Sequence, residues 1–211
     1  MKFNSNIAVL GALSVLACGS VYAAGNAYDV GRSVDALVVS TDGAEFGDQI
    51  SLFGLAGTRK LTGFSVEYYA NYSLPGGLTI RFYDNDGVAG VPNTLEYQSA
   101  PVDIKLGGGI VNITFNQPKI ATTFTYTVQF LGSSGANVAG LLAPDQQPSV
   151  GSSFNDYWTK ESGTWQLNNL GPIKANFTAS VNAVPEPGTY ALAGVAGFGW
   201  LAFAGYRRFR K

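Results

Sequence analysis

Apolar and polar residues alternate through most of the middle of the chain. Phe64, Val66, Tyr68, Ala70 and Tyr72 fall on one side of an extended segment. Leu78, Ile80 and Phe82 do so on the next, and Val111, Ile113 and Phe115 on a third. Phe124, Tyr126, Val128 and Phe130 alternate with Thr123, Thr125, Thr127 and Gln129; Ile173, Ala175, Phe177, Ala179 and Val181 repeat the pattern. A period of two is that of a strand with one covered face, and the β-branched and aromatic content agrees. Weaker strand candidates are 36–40, 49–53, 94–98, 102–106 and 157–167. Turn sequences separate them, among them Thr41-Asp42-Gly43, Pro75-Gly76-Gly77 and Asp84-Asn85-Asp86-Gly87. No helix-period segment interrupts the series. About ten half-buried strands must each hide a face, and two antiparallel sheets packed together do this most simply. The expected fold is an all-β antiparallel β-sandwich, jelly-roll-like, with a closed barrel as the second arrangement.

Both ends of the chain break this pattern. Lys2, the apolar run 7–17 and Val21-Tyr22-Ala23 form a signal peptide, residues 1–23, to be cut after Ala23 by signal peptidase. Val15-Leu16-Ala17-Cys18 offers a rival, a lipobox in which Cys18 would be lipidated. At the other end, 182–187 reads as a tether with Val184-Pro185-Glu186-Pro187. Residues 188–206 then carry no charge. As a helix they would be about 28 Å long, close to a bilayer core. Arg207, Arg208, Arg210 and Lys211 follow, and such a basic stop is held on the cytoplasmic side. The prolines keep the segment around Glu186 extended and open to a protease. The expected organisation is therefore a sandwich domain over 24–181, outside the inner membrane, with a transmembrane helix and a short basic cytoplasmic end.

Composition narrows the chemistry. Cys18 is the only cysteine and histidine is absent, so the domain has no disulfide, no thiolate or imidazole metal site and no Ser-His-Asp triad. Between Ala24 and Val184, eight basic residues stand against thirteen acidic ones, a balance of −5, unsuited to nucleic acid.

The C-terminal tail, Val184-Pro185-Glu186-Pro187-Gly188-Thr189 with its span and Arg-rich end, closely resembles the PEP-CTERM sorting signal of Gram-negative bacteria. The resemblance covers only the last ~28 residues. It implies recognition by exosortase, an integral-membrane cysteine protease or transpeptidase. It also implies delivery to the cell surface or extracellular matrix and an association with exopolysaccharide and biofilm. A second stretch, Arg81-Phe82-Tyr83-Asp84-Asn85-Asp86-Gly87 with Gly90 to Tyr97, looks like a segment common in bacterial secreted sandwich domains, and implies a scaffold without an activity.

Three constellations could carry chemistry in the domain. Asp84, Asn85 and Asp86 put oxygen ligands in a tight turn, a fragment of a calcium loop, although no Glu stands at the EF-hand distance. Tyr157, Trp158 and Trp165, with Tyr69 behind them, could stack on sugar rings as in a carbohydrate-binding module. In a 157–167 hairpin with Lys160 opposite Thr164, Tyr157, Thr159, Trp165 and Leu167 would share one face, and Trp158 and Gln166 the other. Glu45, Asp48, Glu67 and Glu161 are carboxylates, but nothing in their spacing sets two across a cleft as glycoside hydrolysis needs. The expectation is a non-enzymatic protein without a required cofactor. The sequons headed by Asn71, Asn112 and Asn176 read as turn and strand residues.

Overall fold

The computed structural model describes residues 25–31, 36–54, 57–116 and 118–185. The signal peptide, Cys18, Glu186, Pro187, the span 188–206 and Arg207, Arg208, Arg210 and Lys211 lie outside the described residues. Among the described residues no helix is long and apolar enough to cross a membrane.

The described chain is all-β. Its strands are β1 (Gly25–Asp29), β2 (Ala36–Val39), β3 (Glu45–Ser51), β4 (Thr58–Ala70), β5 (Leu74–Asp84), β6 (Leu95–Gln98), β7 (Val102–Ile104) and β8 (Gly109–Thr114). They continue with β9 (Lys119–Ala121), β10 (Thr123–Phe130), β11 (Ala139–Ala143), β12 (Ser152–Ser153), β13 (Tyr157–Glu161), β14 (Thr164–Asn168) and β15 (Ala179–Pro185). All pairs are antiparallel. The first sheet is built on the long β4. Val66 pairs with Ala179 of β15 and with Val111 of β8, and Tyr68 with Leu141 of β11 and Gly109 of β8. β15 and β11 therefore share one edge of β4, end to end, and β8 and β9 take the other. β1 adds outside β15, and β2 outside β11. The second sheet runs β14-β13-β3-β10-β5-β6, with β12 also on β3 and β7 on β5.

The inward positions are those that the alternation predicts. Phe64, Val66, Tyr68 and Ala70 of β4 meet Leu78, Ile80 and Phe82 of β5 and Phe124, Tyr126, Val128 and Phe130 of β10, all buried. Aromatic rings join the sheets: Phe64 lies 5.1 Å from both Phe82 and Tyr126, and Tyr68 lies 5.8 Å from Phe130. Tilted and edge-on pairs of this kind stabilise a core beyond their buried area.

Three differences from the sequence reading stand out, and the first two have physical causes. In the run 173–181 the expected apolar positions Ala175, Phe177, Ala179 and Val181 are buried, but so are Asn176 and Thr178 between them, and its first half is not a strand. Lys174 N donates to Asp145 Oδ1, Ala175 N to the Asn155 carbonyl and Thr178 N to the Leu142 carbonyl, so loops and a strand end occupy the bonds a ladder would use. β11, AGLLA, shows no alternation because small residues let it be covered on both faces. The strand β15 also continues through 182–185, into the expected tether.

Candidate functional site

The end of the folded domain and the start of the C-terminal motif are one structure. β15 lies between β1 and β4, with Gly25 opposite Ala183 and Asn26 opposite Asn182. On its other side Val184 pairs with Lys60 and Pro185 with Arg59. Val181 and Ala183 are buried and Val184 is half-buried. The described part of β1 ends beside Ala183, so Val184 and Pro185 pair with β4 alone. A proline, lacking an N–H, is tolerated at such a strand end. No spacer separates the sheet from the motif, and the first described residue, Gly25, pairs with Ala183 beside it.

The 157–167 hairpin forms, but in a different register. Lys160 pairs with Trp165 and Glu161 with Thr164, leaving a two-residue turn of Ser162 and Gly163 with φ of 48° and 82°. Positive φ at both positions is the primed turn that matches strand twist. Trp158, Lys160, Trp165 and Leu167 therefore share the outer face, and Tyr157 faces inward. This corrects the expected partition: a three-residue turn would have inverted one strand against the other. Tyr157 packs on Phe177 with ring centroids 6.0 Å apart, so the three sugar-stacking candidates are not brought together. Trp158 is only 7% exposed, and its Nε1–H donates to Gln49 Oε1 at 3.4 Å. Trp165 sits edge-on to Trp158 and 5.1 Å from Tyr83. Tyr69 is exposed on the first sheet, away from all three.

The Trp165–Tyr83 contact is informative because β14 and β5 are four strand positions apart, about 19 Å in a flat sheet. The hairpin curls over the outer face of the second sheet. Gly47 on β3 assists this: a Cβ there would collide with the Tyr126 carbonyl, so the strands approach closely. Under the hairpin lies a closed polar network. Tyr83 Oη donates to Glu45 Oε2 at 2.7 Å and Thr127 Oγ1 to the same oxygen at 3.0 Å. Arg81 Nη1 is 3.5 Å from Glu45 Oε1 and donates to Gln129 Oε1 at 3.0 Å, while Nε donates to Gln98 Oε1 at 2.8 Å. Lys160 Nζ caps it, 4.9 Å from the Tyr83 ring centroid and 5.0 Å from that of Trp165. Burial first, then the bond to Glu45, pushes the Tyr83 phenol well above its ordinary range. Every one of these groups is engaged, which makes the patch a clamp on the hairpin. Thr125 and Thr127, polar by sequence, are buried beneath it.

The acidic turn is likewise occupied by its own chain. Thr94 donates to Asp86 from both its N, at 2.9 Å, and its Oγ1, at 2.6 Å, and these bonds lower the Asp86 pKa. Asn85 Oδ1 accepts from Thr125 Oγ1. Among the described residues no three His, Cys, Asp or Glu side chains gather to hold a metal ion. The four carboxylates are dispersed: Glu45 is ion-paired, Asp48 is sealed in the core, Glu67 lies on the first sheet and Glu161 is exposed at the hairpin turn. Asn71 and Asn176 hold loops, through Ala136 and Gln146 carbonyls.

No curated protein and no solved structure matches the chain. A family model of a sorting signal matches residues 183–208, from Ala183 of β15 onward. Such a signal implies an exported protein with a membrane-anchored precursor and exosortase as its processing partner. The C-terminus of this chain is a PEP-CTERM protein-sorting motif.

Proposed function

We propose that the chain is a non-enzymatic protein of the cell surface or extracellular matrix, linked to exopolysaccharide and biofilm, whose jelly-roll-like sandwich is the cargo of its sorting signal. The observation that carries this reading is the sorting motif joined without a spacer to the last strand of an all-β domain. The dispersal of the carboxylates supports a structural role over glycoside hydrolysis, where two must face each other across the substrate. The alternative, sugar stacking on Tyr157, Trp158 and Trp165, has weaker support, since those rings pack edge-on against protein and one faces inward.

The test is made in the native cells. Intact mass and terminal peptides are measured with and without exosortase, and the processed protein is assayed on the cells' own polysaccharide. The expected protein has lost both ends, sits in the surface or matrix fraction, and turns over no substrate. A chain ending at Lys211 in both strains overturns the sorting role. Robust turnover abolished by one carboxylate substitution overturns the non-enzymatic one.

A further inference from the structure

The outer face of the first sheet carries a groove of about 200 Å³. Asp29 of β1, Ser65 and Glu67 of β4, Ile110 of β8, Ser180 of β15 and Thr178 line it. Register explains the grouping. Asp29 lies opposite Ser180, Ser180 opposite Ser65, and Glu67 opposite Ile110, while Glu67 N donates to the Thr178 carbonyl at 3.0 Å.

The bonding within the groove is incomplete. Ser65 and Ser180 share a hydrogen bond of 2.7 Å, and Asp29 Oδ2 accepts from Ser149 Oγ at 3.3 Å. Glu67 Oε2 and Thr178 Oγ1 are shielded from solvent without any partner, and Thr178 as a whole is 5% exposed. Buried polar atoms in folded proteins are nearly always paired, so two orphans on one groove point to a missing partner.

The lining defines that partner. It holds two carboxylates, three hydroxyls and no basic side chain among the described residues. A ligand bringing positive charge and N–H or O–H donors is complementary, and its charge-assisted bonds are the strong ones. Among the described residues no aromatic ring lines the groove, so a neutral sugar would have no face to stack on there. β15 separates Asp29 from Glu67, which spreads the carboxylates along the groove, where a calcium ion needs six to eight oxygens around one point. The space is below that of a drug-sized pocket and suits one ring.

We propose that this groove binds a single amino-sugar-sized ligand, its ammonium group on the Glu67 carboxylate in the field of Asp29, and its hydroxyls on Ser65, Thr178 and Ser180. The site stands on the groove alone, so its failure leaves the sorting role untouched.

The full chain in nonionic detergent is titrated calorimetrically with glucosamine, glucose and calcium chloride in turn. Glucosamine should bind saturably at one site. Glucose should bind at least about tenfold more weakly, and Glu67→Gln should weaken glucosamine by about tenfold or more. Thr178→Val, which removes an unpaired hydroxyl, should keep the fold by circular dichroism and weaken glucosamine by a smaller factor. It decides the matter if the Glu67 variant does not fold. Equal binding of glucose and glucosamine overturns the proposal, as does calcium binding with glucosamine silent. So does the absence of any binding, or affinity that neither variant changes.

Discussion

Asp48 is a carboxyl group placed at the interior of an aromatic core, and replacing it with asparagine should change how the protein answers to pH. Asp48 is fully buried on β3, opposite Tyr126 of β10. Its Oδ2 accepts from Ser153 Oγ at 2.7 Å and, at 3.5 Å, from Tyr28 Oη, while Oδ1 and the Tyr126 hydroxyl have no partner. Burial raises its pKa well above 3.8, against the smaller lowering effect of these hydrogen bonds. The sign follows from linkage. Above the ordinary carboxylate range the unfolded chain releases this proton and the folded one keeps it. The contribution to stability is therefore complete at low pH and is lost as pH rises toward the folded-state pKa. The rate is about 1.4 kcal/mol per pH unit, so two units inside that window remove about 2.7 kcal/mol. An asparagine side chain does not titrate, and its amide can fill the same space and donate toward Tyr126. Urea midpoints of the wild type and Asp48→Asn, followed by tryptophan fluorescence from pH 4 upward, give the difference directly. Other carboxylates act equally on both proteins and cancel. The variant should gain on the wild type as pH rises. Parallel pH profiles would refute a protonated, buried Asp48.

Three further outcomes are expected. Gly163→Ala puts a side chain at φ 82° in the hairpin turn and should lower stability by about 1 kcal/mol, read from the unfolding midpoint. Tyr83→Phe removes one of two donors to Glu45 Oε2 and should cost about 1–2 kcal/mol; a further Trp165→Ala should cost less in that background than alone if the network and the hairpin act as one clamp. Replacing Glu186, or the cluster Arg207, Arg208, Arg210 and Lys211, should leave the precursor unprocessed in the membrane fraction, seen as full-length mass in fractionated cells.

The core was legible because its signal is local. Phe124 to Phe130 alternates within one strand, and a two-residue period needs no knowledge of partners. The hairpin shows where this ends. Ser162-Gly163 could have been read as a two-residue primed turn, but a three-residue turn fits the same letters, and one residue of register decides whether the two tryptophans share a face. β9 and β12 are too short to show any period. The groove was not legible at all: Glu67 stood as one carboxylate among four, Thr178 lay in a run read as strand, and only the pairing of β15 with β4 sets them together. The sorting motif is the opposite case, a linear signal that needs no fold to be seen.

The place of β15 has a consequence in time. The first described strand has the last one as its ladder partner, and Gly25 pairs with Ala183, 158 positions further along the chain. Sheet closure of such high contact order is slow and cannot begin with local pieces. During secretion β1 emerges early and waits unpaired; β15 arrives only when the rest has crossed. The first sheet therefore closes at the moment the sorting motif comes into reach outside the membrane. A chain broken off before Ala179 can neither complete this sheet nor offer the motif, so folding and sorting both depend on the same few residues.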